Sequence, residues 1–82
     1  MNETELKSIE ALKIDEESAI ASYKVAMENL KDKVNDKVIS ILEHIMEDEE
    51  DHLRKLNKIL EGKEEEVEIT PAEQERLEQL GY

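Results

Sequence analysis

Cysteine is absent from this chain, and so are phenylalanine and tryptophan. Without thiols there can be no disulfide, zinc–thiolate site or iron–sulfur cluster, and cysteine usage is silent on redox compartment. With only 2 Tyr as aromatic residues, any core must be aliphatic. Glycine (2) and proline (1) are scarce, so little interrupts helix formation. Basic residues are outnumbered, 11 Lys and Arg against 23 Asp and Glu, for a formal net charge of -12. That balance excludes nucleic acid as a partner, because phosphate binding needs a basic face, and it suits the attraction of cations. No apolar run reaches membrane-spanning length, and Met1–Glu5 is acidic with no apolar signal core. The expectation is a soluble, cytoplasmic protein with no membrane partner.

An 82-residue chain makes one small domain with a thin core of its own. Its apolar residues recur at helical spacing, which argues against disorder despite a charged fraction of 41%. Ile9, Glu16, Tyr23 and Leu30 form one row at heptad spacing; Leu12, Ala19 and Ala26 form another, with Ile20 and Met27 widening the stripe. This pattern predicts a helix over residues 4–31. A second helix begins after an N-cap at Asn35 or Asp36 and stops at Gly62. Its rows are Leu42, Glu49 and Leu56, and Val38, Ile45, His52 and Ile59. Lys63 to Ile69 is a Glu-rich connector. Thr70-Pro71-Ala72-Glu73 then starts a short third helix, whose Leu77 and Leu80 are expected to dock on the bundle or on a neighbouring chain. The predicted fold is all-α: residues 1–62 form an antiparallel two-helix hairpin, and residues 63–82 a connector with a short C-terminal helix.

Polar residues inside the seams are the most informative feature. A carboxylate in a helix core is costly unless something compensates its charge. With a turn near Asp32 and Lys33, facing residues have numbers summing to about 65, so Glu16 faces Glu49. His52 follows Glu49 at i+3 and reaches the same depth. A metal ion would compensate all three. Pairing two hairpins buries the seams and assembles four Glu and two His in a four-helix bundle, the inventory of a dinuclear carboxylate site. Carboxylate and imidazole donors suit iron or manganese.

On Glu16, Tyr23, Glu49 and His52, residues 4–61 resemble one half of a ferritin-like di-iron protein, the superfamily of ferritins, bacterioferritins and rubrerythrins. Encapsulated ferritins are similar in carrying one hairpin per chain and building their iron site between chains. The resemblance implies Glu16 and His52 as terminal ligands, Glu49 as the bridging ligand and Tyr23 as a hydrogen-bonding residue behind them. It implies two irons per homodimer or within a higher oligomer, with manganese as the alternative metal. The activity implied is Fe(II) oxidation by dioxygen or peroxide, or rubrerythrin-like peroxide reduction with an external electron donor. An encapsulating shell protein, and so a protein compartment, is a further implied partner. The chain departs from usual members in having one hairpin, and it has no cysteine for an electron-relay domain. Its ending, Leu77 to Tyr82, is unlike the Gly-containing apolar loading tail of encapsulated ferritins.

Plainer readings stand beside these. Glu-x-x-His arises easily in the acidic run Glu47–Asp51, and a polar layer can serve only to set register in a non-catalytic acidic interaction bundle. Tyr23 can be the core's one aromatic residue. His44 lies off the seam and reads as a surface residue, Asp48, Glu50 and Asp51 as a solvated face, and Met27 and Met46 as core filler.

Overall fold

A computed structural model describes residues 1–81 of the chain. Its first helix, α1 (Glu3–Leu30), opens on a reciprocal cap. The Asn2 side chain accepts from the Glu5 N–H at 2.8 Å, and the Glu5 carboxylate accepts from the Asn2 N–H at 2.9 Å. These bonds satisfy donors that a helix start otherwise leaves orphaned. The sequence reading began the helix one residue later and passed over this box, although Asn-x-x-Glu is its signal.

The second helix, α2 (Asp36–Leu60), starts as expected. Asn35 is its cap, accepting from the Val38 N–H at 3.0 Å. Gly62 ends it with φ +73°, a left-handed conformation that favours glycine. There the Lys63 N–H donates to the Lys58 carbonyl at 2.8 Å and the Gly62 N–H to the Ile59 carbonyl at 3.0 Å. This pair of bonds is a Schellman motif. The connector then makes one 3-10 turn, Glu64–Glu66, which the sequence reading left as irregular chain. A third helix, α3 (Pro71–Gln79), follows Thr70, whose hydroxyl accepts from the Glu73 N–H at 3.1 Å. The fold is all-helical, with no strand among the described residues. None of the described helices is long and apolar enough to cross a membrane.

The two long helices pack as an antiparallel hairpin joined by a short turn. Ile20, 8% exposed, is the one buried residue among those described. The sequence reading placed it at the flank of the stripe. In a two-helix hairpin the contact line runs beside the heptad rows, so the flanking Ile20 meets α2 while the rows look toward the open face. Ile9, Glu16, Tyr23 and Leu30 on α1, and Val38, Leu42, Glu49, Leu56 and Ile59 on α2, are accordingly only half-buried. Leu12 and Ile41 (50% exposed each) and Ile45 (36%) extend that open face into solvent. Ile14 and Val25 lie exposed on the far side of α1.

The expectation that α3 docks on its own hairpin needs correction. No Cα of α3 comes within 8 Å of one in α1, α2 or the 3-10 turn. Two leucines bury too little apolar surface to hold a nine-residue helix down against the entropy of a flexible connector. The last residue of the predicted C-terminal segment, Tyr82, lies outside the described residues.

Candidate metal centre

Glu16 on α1 and Glu49 and His52 on α2 each offer a ligand atom, and these atoms lie within 4.8 Å of one another. Helix periodicity accounts for two of them, since residues three apart share a face. Hairpin geometry accounts for the third, because Glu16 and Glu49 stand at matching depth on either side of the turn. The separations are those of neighbours without a direct bond. His52 Nδ1 is 3.7 Å from Glu16 Oε1 and 4.0 Å from Glu49 Oε2. Both distances exceed hydrogen-bonding range for these atoms.

Burial makes the arrangement costly. The Glu16 side chain is 21% exposed, and its Oε2 is buried with no hydrogen-bond partner. A buried carboxylate oxygen with nothing to accept from is rare in folded proteins and calls for a cation or a proton. The neighbouring Glu49 carboxyl pushes the Glu16 pKa above its ordinary value near 4.5, through a hydrogen bond that requires one of the two to be protonated. Loss of solvent and like-charge repulsion from Glu49 push the same way, with His52 opposing.

The sign for stability follows. A raised folded-state pKa means that the contribution of Glu16 is fully present below its unfolded pKa and is lost as pH rises through the folded value. Glu16→Gln, which mimics the protonated acid, should therefore melt at the same temperature as the metal-free native chain near pH 4. It should melt several degrees higher at pH 7 to 8. Thermal melts in chelator across that range check this, and a variant less stable at neutral pH would refute the crowding.

The donor set fits a divalent cation. Ligands across an ion bonded at about 2.1 Å stand roughly 4.2 Å apart, so a span of 4.8 Å is close to capture dimensions. Two carboxylates and an imidazole favour a first-row metal such as iron or manganese over a thiophilic one. Three donors leave a first-row ion with open positions. No family model, curated protein or solved structure matches this chain. The reading of this centre therefore rests on its own geometry and chemistry.

The other residues singled out from the sequence lie apart from this cluster. Tyr23 is one row-step beyond Glu16 on α1, about 10 Å along the helix. It is half-buried, and its hydroxyl makes no hydrogen bond among the described residues. His44 is exposed, as are Asp48 and Glu50, while Met27 and Met46 are half-buried.

Asp51 differs from the solvated residue expected. It pairs with Lys55 at 3.0 Å and Arg54 at 3.0 Å, and those two cations hold its pKa below the usual range, Lys55 foremost. The signal was available, since cations at i+3 and i+4 follow it directly. Of the five acids from Glu47 to Asp51, only Glu49 joins the cluster.

Proposed function

We propose that the protein is a di-iron carboxylate protein that oxidises Fe(II) with dioxygen or peroxide at a site shared between two copies of the chain. The observation that carries this reading is the convergence of Glu16, Glu49 and His52 around an unpartnered, buried carboxylate oxygen. Leu12 and Glu16 are four residues apart on α1, and Ile45, Glu49 and His52 are at i, i+4 and i+7 on α2. The open side of the centre is thus flanked by exposed aliphatic residues. A second copy seated there would bury Leu12, Ile41 and Ile45, form a four-helix bundle and bring a second set of three ligands.

Within that assembly Glu16 and His52 would hold the metals from the two sides, and Glu49 would bridge between them. When bound, paired iron supplies one-electron oxidation steps and open positions for an oxidant. The chain's own residues balance the ionic charge, keep the carboxylates ionised and deprive the site of bulk water. The acidic surface raises the local concentration of Fe(II), here the substrate. Tyr23, on the same row as Glu16, is placed to orient carboxylates of the assembled site. Tyr23→Phe should keep its iron but oxidise Fe(II) about tenfold more slowly, an effect typical of residues behind the ligands. Loss of the iron in that variant would make Tyr23 a ligand.

Product analysis tests the activity. Anaerobic protein loaded with Fe(II) and then given dioxygen should yield ferric product faster than free Fe(II) does, and Glu49→Ala should not. Stoichiometric peroxide consumption that depends on an added reductant, without ferric accumulation, would instead indicate peroxide reduction. No metal uptake would leave a plain acidic interaction bundle.

A further inference from the structure

On the other lip of the hairpin, α1 and α2 enclose a groove of about 470 Å³. Its floor is Ile20 and Leu53, and its rim carries Lys24, Arg54 and Lys58, three of the chain's few cations. At 100° per residue the groove lies roughly 100° around α2 from the row of Glu49. A copy seated on the metal face therefore leaves it open. Lys24 has no ion pair among the described residues.

The chain also carries a segment with matching needs. α3 exposes Leu77 (36%) and Leu80 (65%) and touches no other helix. Leu77 and Leu80 are i, i+3 neighbours, and Glu73 lies on the same face, four residues before Leu77, with Glu78 at its edge. Nine residues of helix span about 13 Å, and the groove, from Glu50 to Glu61 along α2, about 16 Å. The segment leading out of the hairpin is held against α2 by the Schellman motif and by Lys58–Glu66 at 3.6 Å. That attachment directs α3 away from its own groove.

We infer that α3 of one copy docks in the Lys24–Arg54–Lys58 groove of a second copy. Leu77 and Leu80 would face Ile20, Leu53 and the aliphatic stems of the rim cations, while Glu73 and Glu78 pair with their charges. This contact goes beyond the proposed metal function and uses neither the metal face nor a metal.

The absence of cysteine makes the test clean. Gln74→Cys and Asn57→Cys chains, mixed in chelator at low concentration and mildly oxidised, should give the mixed disulfide in clear excess over either like pair. Adding Leu77→Glu and Leu80→Glu to the first chain should abolish that excess. Sedimentation of otherwise native protein carrying Leu77→Glu and Leu80→Glu should show self-association weakened about tenfold or more in chelator, with hairpin helicity kept. Lys24→Glu with Arg54→Glu should weaken it likewise, and adding Glu73→Lys with Glu78→Lys should restore it. All of this should persist in a Glu49→Ala background, which separates failure here from failure of the metal reading. Statistical pairing of the two cysteine chains with unchanged sedimentation of the variants would overturn the inference. So would an intrachain disulfide as the main product of a chain carrying both cysteines.

Discussion

Saturating the protein anaerobically with Fe(II) or Mn(II) at neutral pH is expected to raise its melting temperature by roughly 10–20 °C. The size follows from linkage. A ligand at about 100 times its Kd stabilises by about 2.7 kcal/mol, and a domain of this size gains about 4–8 °C per kcal/mol. The sign follows from the centre itself. Without metal, Glu16 and Glu49 crowd each other with one carboxylate oxygen buried and unpartnered, and a divalent cation relieves both burdens. The gain should shrink as pH falls, because carboxyls and imidazole must lose protons to coordinate. In a Glu16→Gln, Glu49→Gln double variant it should vanish, and the metal-free double variant should melt above the native chain at neutral pH. Melting curves with and without metal, from pH 5 to 8, measure all of this. A native curve indifferent to metal throughout would mean that the polar layer serves packing alone.

The second large effect separates ligands from bystanders. Glu49→Ala should lower metal affinity by more than about 100-fold, beyond the loss usual for residues behind a ligand. The residue sits within the donor cluster, and in a paired site one substitution removes a ligand from each half. His44→Ala should bind metal as the native chain does, since His44 is exposed and outside the cluster. Isothermal titration under anaerobic conditions reads both. Asp51→Asn belongs with His44→Ala, because Lys55 and Arg54 already hold that carboxylate. Equal losses at Glu49 and His44 would mean that general surface charge, not the cluster, gathers the metal.

Much of this was legible in the residues. Glu16 and Glu49 meet because a short turn makes positions with a common number sum face each other, and His52 joins them by i+3 spacing. Asn35, Gly62 and Thr70 acted as the caps and stop their side chains and backbone freedom favour. What was missed has physical causes. Ile20 was ranked as a flank because the heptad rows describe a bundle's axis, whereas one hairpin closes along a line beside them. Asp51 was read as solvated because the acidic run drew attention from the Arg54 and Lys55 that follow it. The detachment of α3 could not be read from its cap residues, which specify where a helix begins and are silent on what it touches. Pairing with a second copy is a property of surfaces, and a single chain displays it only as exposed Leu12, Ile41 and Ile45.

The central claim is that two chains complete one dinuclear site, and native mass spectrometry of the protein after anaerobic Fe(II) loading tests it most directly. The account predicts dimers, or assemblies with an even number of chains, holding one iron per chain and therefore two per pair of hairpins. Glu49→Ala should give the same spectrum without the iron. Two irons held tightly on an isolated single chain, or dimers that take up none, would contradict it.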